Sequence, residues 1–208
     1  MKTLQIIFIG VIALLAASCS SSQITSSWKN ESSTPGKYKK ILVMALLNES
    51  DRTLREKMEQ HLVDDLKERG MDAISSYKQY GPKAFDNMNE SEAVEKIRDS
   101  GVDAVITIVL LDRSKERNYV PGQVSYTPYA VYYNRWWGYY STLNRRVYSR
   151  GYYVTNTEYF WESNLYDAAS KELIYSVQTK SFDPASTESL AHEYGKMIVS
   201  DMVKNSVL

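Results

Sequence analysis

Two apolar runs set the terms for any fold of this chain. Tyr38–Leu47, YKKILVMALL, ends in an unbroken apolar stretch. Val102–Leu111, VDAVITIVLL, is the most apolar run beyond the N-terminal segment. Each is too short to cross a bilayer as a helix, which takes about 20 residues. Neither keeps a polar residue at alternate positions throughout. Each therefore reads as a strand buried on both faces, and the β-branched second run as a central strand.

The sequence between them supplies helices. Asn48, Glu49, Ser50 and Asp51 offer capping side chains. Leu54, Met58, Leu62 and Leu66 then recur every four residues with Val63 beside them, and Gly70 ends the pattern. Met71–Tyr77, MDAISSY, places Met71, Ala73, Ser75 and Tyr77 at alternate positions and reads as a strand. After a polar loop with Gly81-Pro82, Asn89 or Ser91 can cap a short helix that turns Ala93, Val94 and Ile97 inward and stops at Gly101. Strand, helix, strand, helix, strand predicts parallel strands with right-handed crossovers. No glycine-rich phosphate loop follows any of these strands, so a nucleotide fold has no support.

The last third alternates differently. Thr155, Thr157, Tyr159, Trp161, Ser163 and Leu165 share one strand face, and Glu158, Glu162 and Asn164 share the other, which reads as a wet side. Asp167–Lys171 makes a turn, and Leu173, Tyr175, Val177 and Thr179 alternate on a returning strand, giving an antiparallel hairpin that Pro184 ends. Ser186 or Thr187 caps a last helix with Leu190, Ala191, Tyr194, Ile198, Met202 and Val203 toward the sheet. Trp28, in ITSSWKN, adds an edge strand at the beginning. The expected fold class is α/β with a mixed sheet: a βαβαβ core, then an antiparallel β-hairpin and a C-terminal helix packed on the sheet.

The N-terminus carries the most specific signal. Lys2 is the only charge before the apolar run Ile6–Leu15, small residues Ala16-Ala17-Ser18 follow, and then comes Cys19, the single cysteine of the chain. A charged start, an apolar stretch and small residues make an export signal rather than a fold element. A lone cysteine cannot form an internal disulfide and is unusual in an exported protein. Its position resembles that of bacterial lipoprotein signals. That resemblance implies cleavage before Cys19, a diacylglyceryl group on its sulfur and an acyl chain on the new amino group. Several chains at about 0.8 kcal/mol per buried CH₂ make a durable anchor.

The expected organisation is a signal peptide over residues 1–18, a Ser-rich tether over 19–27 and one α/β domain over 28–208 with an aromatic insertion at about 113–150. Eight extended tether residues span at most ~29 Å, so the domain stays near the membrane. By analogy with enterobacterial sorting, the absence of an aspartate directly after Cys19 favours the outer membrane, facing the periplasm. The 25 basic and 25 acidic residues balance. Such a charge gives no reason to expect nucleic acid as a partner.

Several segments in order, ITSSWKN, KYKKILVMALL, the amphipathic helix, GMDAISSY, SGVDAVITIVLLD, the insertion and ESNLYDAASKELIYSVQTKSFDP, resemble an uncharacterised family of small bacterial envelope lipoproteins. The resemblance covers nearly the whole chain after the signal and implies an address and an architecture, not a reaction. More distantly, the pattern is similar to the periplasmic domains of the curli secretion channel lipoprotein, of penicillin-binding-protein activator lipoproteins and of the TolB N-terminus. Those similarities imply binding or assembly rather than catalysis.

Tests for chemistry find little. His61 has Asp65 four residues on and His192 has Glu188 one turn before it, but neither pair makes a metal site and no HExxH pattern exists. No serine sits in a G-x-S-x-G elbow. Glu158 and Glu162 lie two pleats apart, at ~13 Å, beyond the about 5–9.5 Å of paired glycosidase carboxylates. The expectation is a protein without catalytic residues, metal or cofactor.

The remaining signal is aromatic. Between Tyr119 and Tyr153 stand ten tyrosines and two tryptophans, and Arg135, Arg145, Arg146 and Arg150 are the only charged side chains. One reading is a long loop or hairpin whose rings cover a sheet edge. A second is a binding surface in which Arg135, Trp136, Trp137, Tyr139, Tyr140, Arg145 and Arg146 meet an envelope protein, a glycan or the membrane surface. The third, by analogy with the curli channel, is a hairpin inserted in the outer membrane by an oligomeric secretion-channel-like lipoprotein, although Pro128 sits badly in a barrel strand.

Overall fold

The structure, a computed structural model, describes residues 21–34, 36–83, 85–116 and 156–208. Among them, β1 (Ser22–Lys29), β2 (Lys40–Leu46), β3 (Asp72–Ser75), β4 (Ala104–Glu116), β5 (Asn156–Asp167) and β6 (Leu173–Phe182) form one sheet in the order β1-β6-β5-β4-β2-β3. The helices are α1 (Arg52–Glu68), α2 (Ser76–Tyr80), α3 (Glu90–Asp99) and α4 (Thr187–Lys204). Strand β2 runs parallel to β3 and β4, whereas β4–β5, β5–β6 and β6–β1 are antiparallel. The mixed α/β sheet with its hairpin and C-terminal helix is therefore present. β1 begins at Ser22, inside the stretch read as tether.

Local rules account for the ends of the helices. Asn89 caps α3 through the Glu92 backbone N–H while the Glu92 carboxylate accepts from the Asn89 N–H, a reciprocal capping box. Ser186 caps α4. At the end of α1, Gly70 takes a φ of 82°, its N–H reaches the Lys67 carbonyl at 2.9 Å and the Met71 N–H reaches Leu66 at 3.1 Å. That is a Schellman stop, for which glycine is the residue of least strain.

The sheet has one helix-covered face and one divided face. On the first, Ile41, Val43 and Ala45 of β2, Ile106 and Ile108 of β4, and Trp161 and Leu165 of β5 pack against Leu54, Met58, Leu62 and Leu66 of α1 and Leu190, Tyr194, Ile198 and Met202 of α4. Burial of each large apolar side chain contributes about 1.5–3 kcal/mol. The two helices approach closely at Gly195, where a Cβ would overlap Asp65 Oδ2 and stand 3.3 Å from the His61 carbonyl carbon and the Leu62 nitrogen. On the second face, Leu42, Met44 and Leu46 of β2 with Val105 and Val109 of β4 meet Ala93, Val94 and Ile97 of α3 and Phe85.

Four expectations need correction. The alternation of Met71–Tyr77 does not continue as a strand, because β3 ends at Ser75, whose hydroxyl caps α2 by accepting from the Lys78 N–H. Leu173 falls out of phase with Tyr175 because the β5–β6 register shifts between Leu165 and Tyr166, and it packs against the second-face core instead. Val203 is exposed, and Val199 is buried in its place. The supposedly wet side of β5 is closed: Glu162 and Asn164 are buried, at 1% and 0% exposure. β5 lies between β4 and β6, where Gln178 of β6 and the Asn164 amide replace water at Glu162, while Asn164 Oδ1 is buried without a hydrogen-bond partner.

Candidate functional site

Cys19 and the aromatic-stretch residues Arg135, Trp136, Trp137, Tyr139, Tyr140, Arg145 and Arg146 lie outside the described residues. What is described is the place from which both segments depart. The Phe182 N–H donates to the Ser21 carbonyl at 2.7 Å, and the Asp183 N–H donates to the Thr157 carbonyl at 2.7 Å. Ser22 pairs with Ser181, Ser181 with Tyr159, and Tyr159 with Arg113, so one rung crosses four strands. Beyond it β4 and β5 stay paired out to Glu116 and Asn156, the residues that flank 117–155. The N-terminal exit and both roots of the aromatic stretch thus share one end of the sheet.

The side chains at that end are polar and aromatic. Arg113 Nη2 pairs with Asp51 at 2.9 Å, and its guanidinium lies 5.2 Å from the Tyr159 ring centre. Lys180 pairs with Glu158 at 2.8 Å and lies over Phe160 at 5.4 Å. Ser21 donates from its hydroxyl to Glu193 at 2.9 Å. Phe182 is 42% exposed.

Three further clusters carry chemical groups, and sequence reasoning missed how each is assembled. Glu59 of α1 is fully buried and accepts from the Ala45 N–H at 2.9 Å, the Tyr77 N–H at 2.7 Å and the hydroxyls of Ser75 and Ser76 at 2.6 and 3.0 Å. The Arg55 Nε–H adds a longer bond at 3.4 Å. This corner lies at the C-terminal ends of parallel strands, where open α/β sheets place ligands. Here the carboxylate is occupied in joining β2, β3 and α2. The available signal was its spacing: Glu59 precedes Leu62 by three and Val63 by four, on the edge of the apolar stripe.

The two histidines meet. His61 Nε2 lies 2.7 Å from Glu188 Oε1, Lys57 lies 2.7 Å from Glu188 Oε2, and the His61 and His192 rings contact edge to face at 5.6 Å between centres. The Lys57 and His61 bonds hold the Glu188 carboxyl below the ordinary carboxylate range. Asp65, beside them, is pushed up by burial, and its Oδ2 has no hydrogen-bond partner. No group of three or more His, Cys, Asp or Glu side chains among the described residues could hold a metal ion.

The third cluster is the polar half of the second face. Glu162 accepts from Gln178 Nε2 at 2.9 Å and from Asn164 Nδ2 at 3.2 Å, and the Thr107 hydroxyl donates to the Asn164 carbonyl at 3.4 Å. Glu162 and Gln178 are cross-strand partners, as are Asn164 and Thr107. The opposite end of the sheet is closed by Asp167. Burial alone would raise its carboxyl, but the Lys37 ammonium and the Ser170 and Ala169 N–H groups outweigh that and hold it at about 2.

No helix among the described residues is long and apolar enough to cross a membrane. No protein-family model matches the chain, and no curated protein matches it. Among solved structures, the PelC dodecamer from Paraburkholderia phytofirmans is similar at a TM-score of 0.47 and 10% identity, over 86% of this chain and 95% of that one. Lipoprotein GNA1162 from Neisseria meningitidis is similar at 0.43 and 12%, over 80% and 99%. A PDZ domain protein from Parabacteroides distasonis is similar at 0.43 and 11%, over 92% of this chain and 38% of that one. These are likenesses of chain trace.

Proposed function

We propose that the chain is a lipid-anchored cell-envelope protein. Cys19 holds it at the outer membrane, facing the periplasm, and its work is to bind or assemble with a partner rather than to catalyse. The observation that carries this reading is the N-terminal pattern, an export signal whose small residues end on the only cysteine, three positions before the first strand. The contact surface is the aromatic stretch. Trp, Tyr and Arg dominate interface hot spots because they combine large apolar area with a polar or charged end. Arg135, Trp136, Trp137, Tyr139 and Tyr140, with Arg145 and Arg146, carry that contact to an envelope protein, a glycan or the membrane surface.

Metabolic labelling with an alkynyl palmitate tests the anchor. Label should appear in the wild-type membrane fraction and be lost in Cys19→Ala. A wild-type product that is soluble and unlabelled would contradict the reading. A photoreactive residue at position 136 tests the contact in intact cells. A discrete protein or glycan adduct supports the adapter role, and capture of lipid alone assigns the stretch to the membrane surface.

A second reading has its own support. The β4–β5 pairing runs without a break from Asp112↔Phe160 to Glu116↔Asn156, the trunk that an extended hairpin needs. An oligomeric, secretion-channel-like lipoprotein would use such a hairpin in the outer membrane. SDS-resistant oligomers and conductance in liposomes would establish it, and an intact monomer released by removal of the lipid anchor would refute it.

A further inference from the structure

We infer that the end of the sheet bearing Ser21, Phe182 and Thr157 rests on the surface of the lipid bilayer, with the strands rising from it and the Asp167–Lys171 turn farthest away. The inference rests on the lipid-anchor reading and goes beyond it by naming which surface of the fold meets the membrane.

The tether is what fixes the orientation. A lipidated Cys19 is separated from Ser21 by a single residue, and the Ser21 carbonyl is already bonded to the Phe182 N–H at 2.7 Å. Two extended residues reach ~7 Å at most. The anchor therefore cannot swing to the other end of the molecule. From the Glu158↔Phe182 rung to Asp167, β5 rises nine residues, about 30 Å at ~3.3 Å per residue. The far end stands that much further from the attachment point if the strands are upright.

The surface at the near end suits a headgroup layer. Of the three large apolar side chains exposed among the described residues, Phe182, Trp28 and Val203, Phe182 stands at this end, while Trp28 lies farther along the sheet opposite Ser176. On the same face, Phe160 lies beneath the Lys180 ammonium, which is itself paired with Glu158. Phenylalanine rings with lysine beside them are the pairing by which interfacial segments settle at the headgroup boundary. The stretch 117–155 is rooted at Glu116 and Asn156, at this same end, so it enters and leaves the fold on the membrane side. The far end instead presents the Ala168–Lys171 turn, in which the Lys171 ammonium pairs with Glu90 at 2.7 Å.

The lone cysteine makes the test clean, because an introduced cysteine is the only free thiol once the Cys19 sulfur carries its diacylglyceryl group. The full lipidated chain is labelled with an environment-independent fluorophore at Ala185→Cys, near Phe182, or at Ser170→Cys, in the far turn. Both positions are exposed. Each protein is reconstituted into phosphatidylethanolamine–phosphatidylglycerol vesicles containing headgroup-spin-labelled lipid. The label at position 185 should lose at least half its emission and the label at 170 less than about a tenth, since such quenching is short-ranged and the strands separate the two labels by ~30 Å. Equal quenching, the reverse order, or no quenching of vesicle-bound protein overturns the orientation while leaving the anchor intact. Protein that fails to float with the vesicles overturns both.

Discussion

The two faces of this sheet bury their side chains by different means. The first face is mostly apolar and is covered by two long helices, with Trp161, Tyr194, Leu62 and Met58 wholly inside it and the hydroxyls of Ser163, Thr179 and Ser181 buried toward β5 and β6. The second is apolar where α3 lies, over β2 and β4, with Tyr166 of β5 and Leu173 of β6 joining it at the Asp167 end. Toward β5 and β6 it closes around Glu162, Asn164, Thr107 and Gln178 through hydrogen bonds. Each face also contains a buried carboxylate beyond Glu59, with opposite fates. Asp65, between α1 and α4, has an oxygen without a hydrogen-bond partner, whereas Glu162 accepts two side-chain amides. Apolar burial rewards area, while a buried polar group costs stability unless partners replace water.

The strongest way to break this comparison is at Trp161. It is fully buried and packs against Tyr159 and Tyr194, with ring centres at 5.9 and 5.7 Å. Trp161→Ala should cost about 3–5 kcal/mol in urea unfolding. A loss under ~1 kcal/mol would mean that the first face is not a packed core.

Gly195 tests the helix pair above it. Gly195→Ala should cost about 1–3 kcal/mol through overpacking. Because the nearest atom belongs to Asp65, the added Asp65→Ala change should recover part of that loss in a double-mutant cycle. Simple additivity would place the two residues apart.

On the second face, Glu162→Ala should cost about 1–3 kcal/mol, because the Gln178 and Asn164 amides lose their acceptor. A wet strand side would tolerate the same change within about 0.5 kcal/mol, so thermal unfolding separates the two descriptions.

The carboxylates give smaller, pH-dependent effects of opposite sign. Asp65 is pushed up by burial, so the native state holds its proton more tightly than the unfolded chain and the residue destabilises the fold once ionised. Asp65→Asn should raise stability at neutral pH, with the gain fading as pH falls through the raised native-state value and gone once pH reaches the unfolded carboxylate range. Asp167 is held at about 2, below its unfolded value of 3.8. Its contribution, ~1 kcal/mol after solvent screening of the half-exposed Lys37, is present above pH ~4 and lost as pH falls toward ~2. Asp167→Asn should remove that slope from the stability–pH curve.

The contrast also explains what could be read from the sequence. Runs such as ILVMALL and VDAVITIVLL declare double burial by composition, and the Leu54–Leu66 spacing declares a helix, because these signals are local. Alternation on β5 separated its faces correctly, with Trp161 and Leu165 on the core side. It could not tell a solvated Glu162 from a bonded one, since the deciding partner, Gln178, arrives from the next strand. The same limit hid the meeting of His61 with His192 and Glu188, which depends on the crossing of α1 and α4. Met71–Tyr77 misled in another way. Ser75 fits both an alternating strand and a helix cap, and bonding of the Tyr77 N–H to Glu59, far away in sequence, accompanies the turn into α2. Of the candidate contact residues, the sequence supplies identities alone, because composition marks a sticky segment without fixing its shape.

The proposed anchoring and the orientation at the membrane both depend on lipidated Cys19. Intact and peptide mass spectrometry of the protein extracted from membranes tests it most directly. The account predicts a mature chain that begins at Cys19 and carries diacylglyceryl and acyl groups on that residue. A mature chain beginning elsewhere, or one that retains an unmodified Cys19 thiol, would contradict it.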